Sequence, residues 1–189
     1  MKKFKTVITI AIAAFITNVT FAQTGSMKEN TVEVGGAQMY PSKDIVSNAV
    51  NSKDHTTLVA AVKAAGLVET LQSAGPFTVF APTNAAFSML PEGTVATLLK
   101  PENQATLTSV LTYHVLAGKY SAADLMKMVK TRNGSASLKT VAGGNLMISM
   151  KGKNIVIKDE KGGEAYVTIK DVNQSNGVIH VINHVLLPK

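Results

Sequence analysis

His180 and His184 stand four residues apart, the spacing at which a helix would turn both imidazoles toward one metal ion. The residues around them argue against a helix. Gly177 to Leu187 is dominated by valine and isoleucine and reads as a strand over Val178–Leu187. Four strand steps separate the two rings by ~13 Å, too far for a shared ion. His180 alternates with Val178 and Ile182, so it is expected on a buried face as a neutral, hydrogen-bonded imidazole. His114, which follows Tyr113 at the start of another apolar segment, is expected to behave in the same way.

Other chemistry finds even less support. No G-x-S-x-G elbow occurs, and Asp159-Glu160 sit inside Lys158–Gly163, which reads as an exposed charged turn without the burial that tunes a catalytic acid. The paired glycines have no phosphate-cradling spacing ahead of a helix. With no cysteine, thiol catalysis, thiolate metal sites and disulfides are excluded. No catalytic, cofactor or metal site is expected. A hydrolase would need a cleft that joins His114, a serine and an acid.

The elements around these residues begin with an export signal. Lys2, Lys3 and Lys5 precede a largely apolar stretch over Val7–Val19, and Thr20-Phe21-Ala22 offers small residues before a cut near Ala22-Gln23. This stretch is shorter than the ~20 residues of a spanning helix. The predicted organisation is a signal over 1–22, a flexible segment over 23–41 and one domain over 42–189, secreted or periplasmic, with no membrane span after cleavage. Loss of the three signal lysines, with no acid beside them, takes the formal charge from +7 to +4. Arg132 is the only arginine, so specific nucleic-acid binding is not expected.

From Ser42 the pattern turns helical. Ile45, Val46 and Val50 make one stripe, and Leu58, Val62 and Ala65 another, with Asp54 as its predicted cap. Phe77–Ala81 reads as a strand, Thr83 or Asn84 as the cap of a short helix, and Pro91 and Pro101 as first-turn residues of two more. A helix over Ala122–Val129 precedes strands at Leu138–Val141, Leu146–Met150, Asn154–Ile157, Ala165–Ile169 and Val178–Leu187. Helices in the first half and strands in the second predict an α+β class.

Three segments then converge. Phe77-Thr-Val-Phe-Ala-Pro-Thr-Asn-Ala-Ala-Phe87 resembles the first box of fasciclin-like (FAS1) domains, Leu111-Thr-Tyr-His-Val-Leu-Ala-Gly118 their tyrosine-histidine motif, and Asn176 to Pro188 their second box. Their order and spacing agree over about Ser42 to Lys189, and Met39-Tyr-Pro-Ser42 resembles the lead-in of bacterial secreted single-domain members. The resemblance implies a single domain made of a β-wedge with packed helices. It implies mainly structural roles for Thr83, Asn84, Phe87, Tyr113, His114, His180 and Asn183, with Thr83 and Asn84 capping a helix. Asn183 stands where the family usually has aspartate, so the resemblance implies no role there that needs a carboxylate. Integrin contacts of animal members are not carried over to a chain with a bacterial-type signal.

The function implied is non-enzymatic adhesion or binding at a cell surface or matrix, with a glycan or protein partner meeting Tyr113, Lys127, Lys130 and Lys139. The alternative is carriage of a small hydrophobic ligand such as a carotenoid or lipid, in a groove lined by Met126, Met128, Met147 and Met150.

Overall fold

The computed structural model describes residues 29–189, so the expected signal peptide and cleavage point lie outside the described residues. A small hairpin, β1 (Val32–Val34) and β2 (Ala37–Met39), opens the fold. Three short helices follow: α1 (Ile45–Ala49), α2 (Thr56–Ala64) and α3 (Val68–Gln72). Strand β3 (Phe77–Pro82) leads into α4 (Asn84–Ser88), α5 (Thr94–Leu98) and α6 (Gln104–Tyr113). Strand β4 (Val115–Ala117) and α7 (Ala122–Thr131) precede five strands: β5 (Ser135–Lys139), β6 (Asn145–Lys151), β7 (Asn154–Lys158), β8 (Glu164–Gln174) and β9 (Gly177–Ile182). The class is α+β, as the order of patterns predicted.

Seven strands form one mixed sheet in the order β4-β3-β9-β8-β7-β6-β5. Only β3 and β9 run parallel, from Phe77 opposite Gly177 to Pro82 opposite Ile182. Every residue of β9 is buried, and so is every residue of β3 after Phe77. Both strands are covered on both faces, which is why they read as unbroken apolar runs instead of alternating ones. Val79, Ala81, Ile179 and Val181 face a core built with α1, α2, α3 and α6, while Phe80 and Ile182 face a second core built with α7 and β5–β7. The two-residue period of a strand thus divides the domain into two hydrophobic halves.

Strand β8 joins those halves. Its first residues pair with β7 and its later ones with β9, with register shifts between Val167 and Ile169 and between Ile169 and Val172. Extra residues at such shifts bend a strand and increase its twist. The far end of the sheet consequently curls back: Val141 N–H donates to Val115 O at 2.8 Å, so the loop after β5 meets the β4 edge and the sheet nearly closes.

Several boundaries differ from the sequence reading. Residues 32–39 of the segment expected to be flexible form the hairpin, because Val34 and Met39 are buried against α1 and α2. The strand expected at Leu138–Val141 spans Ser135–Lys139, and the last strand ends at Ile182, with His184 exposed in a bend. Pro91 lies in the turn before α5, whose cap is Gly93, and is not in its first turn.

The approach of β3 to β9 leaves no room for a side chain at Gly177: a Cβ there would sit 2.2 Å from Phe77 O. Gly177→Ala is expected to lower stability by at least ~3 kcal/mol in urea denaturation, because backbone atoms must move to admit the methyl. Gly36→Ala, with nothing within 4 Å and only a left-handed φ of 75° to strain, should cost ~1–2 kcal/mol.

Candidate functional site

Each motif histidine is held by two backbone groups. The His180 Nε2–H donates to Tyr120 O at 2.9 Å, and Nδ1 accepts from Asp171 N–H at 3.2 Å. Its ring stacks on Phe80 with centroids 5.8 Å apart. The His114 Nδ1–H donates to Val110 O at 2.8 Å, and Nε2 accepts from Leu186 N–H at 3.0 Å. One donor and one acceptor nitrogen per ring means a neutral imidazole, and burial pushes both pKa values down, that of His114 to about 4. With both nitrogens of His114 occupied, the ring has no capacity left to serve a serine as base. His184 is exposed and shares nothing with His180. Among the described residues no group of three or more His, Asp and Glu side chains is placed to hold a metal ion.

The same economy holds around Tyr113. Its hydroxyl donates to Asn145 O at 2.7 Å and accepts from Glu160 N–H at 3.1 Å, fixing the start of β6 to the turn after β7. That turn is exposed at Lys158, Lys161, Gly162 and Gly163, as expected, but Asp159 within it is not. Asp159 is buried, with Oδ1 accepting from Lys161 and Gly163 N–H and Oδ2 accepting from Leu187 N–H at 3.0 Å. Its carboxylate closes the turn and fastens the C-terminal segment. Asn183 Oδ1 accepts from Tyr166 N–H at 2.8 Å, a contact that uses an acceptor oxygen and no charge.

Thr83 caps α4, its hydroxyl oxygen accepting from Ala86 N–H at 3.3 Å. Asn84 does not share that task. Its Oδ1 accepts from Thr57 N–H at 3.0 Å and its Nδ2 donates to Lys53 O at 2.8 Å, so it caps α2 from a distance, in the place expected of Asp54. Phe87 is core. Three further polar residues join distant segments. Asn176 accepts from Ile45 N–H and donates to Leu71 O and Ser73 O, linking α1 and α3 to β9. Asn48 is fully buried and joins Tyr40 to Gln174. Asp171 accepts from Ala122 N–H at 2.7 Å, setting the start of α7.

The family comparison matches this architecture. The fasciclin domain model matches residues 53–188. The chain belongs to the fasciclin (FAS1) domain family. It is 45% identical over 160 residues to the protein sll1483 of Synechocystis sp., covering 85% of this chain and 82% of that one. It is 38% identical to the immunogenic protein MPB70 of Mycobacterium bovis, covering 78% of this chain and 70% of that one. It is 39% identical to 131 residues of transforming growth factor-beta-induced protein ig-h3 of Sus scrofa, which this chain spans over only 17% of its length. A solved FAS1 domain pair from the insect cell adhesion molecule Fasciclin I superposes with a TM-score of 0.70 at 21% identity, over 78% of this chain and 52% of that one.

The surface of this fasciclin domain differs from the expected one at Tyr113, whose side chain is 0% exposed and cannot meet a partner. Its ring packs against Gly144, where a Cβ would come within 2.7 Å of it. Lys127 and Lys130 on α7 and Lys139 at the end of β5 are exposed. The four methionines do not form a groove: Met126, Met128 and Met150 pack on the second core, and Met147 points outward at 42% exposed. Charge is divided along the chain at Gly118. Glu29 to Gly118 has four basic and seven acidic residues, whereas Lys119 to Lys189 has eleven and five. The helical half of the fasciclin domain is therefore acidic, and the wedge of β5–β8 with α7 is basic.

The histidines also set a pH dependence. His114 titrates at about 4 when folded against an ordinary 6.5, so between those values the unfolded chain binds more protons. Stability therefore rises with pH across that window and levels off above it. From pH 7.5 to pH 5 the fasciclin domain is expected to lose ~2 kcal/mol through His114 alone, measured by urea denaturation at each pH. His180 contributes in the same direction. His114→Gln should be less stable at neutral pH but show a shallower slope, and an equal slope in variant and wild type would refute the assignment. Asn84→Ala should cost ~1–2 kcal/mol through loss of the α2 cap.

Proposed function

We propose that this protein is an exported, non-enzymatic binding module that attaches to a negatively charged glycan or protein at a cell surface or in a matrix. The observation that carries the reading is the division of charge, with a net +6 from Lys119 to Lys189 against −3 from Glu29 to Gly118. A basic half of a domain attracts and orients an anionic partner, and lysines act there as hydrated point charges without the planar fork of arginine. The attraction suits a polyanion of repeated, loosely defined charges and weakens with salt. The reading is supported by the motif histidines, tyrosine and Asp159, whose polar atoms are engaged in holding the backbone. It is supported also by the family, which includes a domain pair from an insect cell adhesion molecule. Among the described residues no helix is long and apolar enough to cross a membrane.

The test is retention of the mature chain on an immobilised acidic polysaccharide. Binding is expected at 20 mM salt and should fall by roughly tenfold or more at 300 mM as the charges are screened. Replacing Lys127, Lys130 and Lys139 together by glutamate should reduce low-salt binding by a similar factor, while Lys63→Glu on α2 should leave it within about twofold. A wild-type chain that passes through the column unretarded at low salt would sink the proposal.

A further inference from the structure

Two asparagine-glycine dipeptides occur in the chain, Asn133-Gly134 and Asn176-Gly177, and the fold places them in opposite circumstances. In such a pair the side-chain amide is open to attack by the following backbone nitrogen. Glycine has no side chain to obstruct that approach and turns freely about its own bonds. Whether the reaction proceeds then depends on how firmly the surrounding structure holds the two residues.

At Asn176 the hold is complete. Its Oδ1 accepts from Ile45 N–H at 3.1 Å, and its Nδ2 donates to Leu71 O at 2.8 Å and to Ser73 O at 3.0 Å. Gly177 is buried in β9 against the Phe77 backbone. Freeing this pair requires α1, α3 and the central sheet to come apart. Asn133, by contrast, lies just beyond α7, whose C-cap is Arg132. It is exposed, its side chain makes no hydrogen bond among the described residues, and its φ is 55°, the left-handed conformation that closes a helix. Gly134 N–H donates to Val129 O at 2.9 Å, an exposed bond at the helix end. No atom beyond its chain neighbours lies within 4 Å of where a Cβ would sit on Gly134. A helix end of this kind frays at little cost, whereas the core opens only with the whole domain.

We propose that Asn133 is a site of spontaneous deamidation and that Asn176 is not. When the end of α7 frays, the Gly134 nitrogen loses its proton to solvent base and attacks Asn133 Cγ. The new N–Cγ bond closes a five-membered succinimide as the Cγ–Nδ2 bond breaks and ammonia leaves with a proton. Water then adds to one of the two imide carbonyls. Opening at one gives aspartate; opening at the other gives isoaspartate, in which the chain runs through Cβ. One water is consumed and one ammonia released, with no change of oxidation state. The product carries a carboxylate beside Arg132, at the negative end of the α7 dipole. It lowers the net charge of Lys119–Lys189 from +6 to +5. On the reading that this basic half meets a polyanion, the converted form holds it less tightly.

The experiment ages the mature chain at mildly alkaline pH, folded and, in parallel, unfolded in guanidinium chloride. Peptide mass spectrometry then locates the mass gain of amide-to-acid conversion. In the folded chain, conversion at Asn133 should outrun that at Asn176 by at least ~hundredfold, since one awaits a frayed turn and the other an unfolded domain. Unfolded, the two should convert at similar rates. Asn133→Gln, which would have to close a six-membered ring, should lose the gain seen in the folded wild type. No gain at Asn133 in the folded chain while the unfolded control converts, or equal gains at both sites, would overturn the proposal. The converted and unconverted forms, separated by cation exchange, are then compared on the acidic polysaccharide. The converted form should elute at lower salt, and co-elution of two retained forms would overturn the effect on attachment. A column that retains neither form counts against the attachment reading alone, because the conversion is read by mass.

Discussion

The constraint on which this fold depends is the parallel contact between β3 and β9, two strands about a hundred residues apart in the chain. Their backbones approach so closely that Gly75 faces Asn176 O and Gly177 faces Phe77 O, each at a distance no Cβ tolerates. This pair is the partition between the two cores, with alternate residues committed to opposite sides. Displacing one strand along the other would turn each core residue toward the wrong half. The helices and the wedge are attached to this partition by polar side chains. Asn176, at the head of β9, holds α1 and α3; His180, in its middle, and Thr78 on β3 hold the chain entering α7 through Tyr120.

Those attachments explain why the polar atoms of His114, His180 and Asp159 are taken up by the backbone. A buried polar group must find partners, and inside this domain the partners are backbone amides and carbonyls left open where the chain changes direction. His114 takes the carbonyl of Val110 at the end of α6 and the amide of Leu186 beyond β9, so one neutral ring joins the tyrosine-histidine motif to the second box. Asp159 holds the neighbouring amide of Leu187. The C-terminal segment is thereby fixed by two adjacent side chains from different elements, without a disulfide. An imidazolium at either histidine would lose its acceptor nitrogen and stand unpaired in hydrocarbon.

What was legible in the sequence was what local pattern decides. The β-branched runs of β3 and β9, the glycine-bounded strands β6 and β7, the Thr83 cap and the neutral, buried His180 all follow from residues within a few positions of each other. Harder were features whose cause lies elsewhere in the chain. The hairpin of β1 and β2 is too short to show a period, and its order comes from Val34 and Met39 meeting α1 and α2. Asn84 looked like a cap for its own helix because nothing local reveals that Thr57 and Lys53 lie beside it. Tyr113 was expected both to be structural and to meet a partner, and the choice was hidden because its hydrogen-bond partners, Asn145 and Glu160, arrive from the wedge. The charge division was present in the sequence all along, but it acquires meaning only when Gly118 proves to be the boundary between the helical layer and the wedge.

Among the described residues, one buried side-chain nitrogen, His55 Nε2, stands out against this background. A domain without cysteines is held by packing, and in such a core both a void and an unpartnered nitrogen destabilise. Elsewhere the domain shows how fully it can satisfy a buried imidazole, since two of its three buried histidines bond through both nitrogens. The third, His55, bonds to the Ser52 hydroxyl through Nδ1, with the Ala81 backbone also beside its ring.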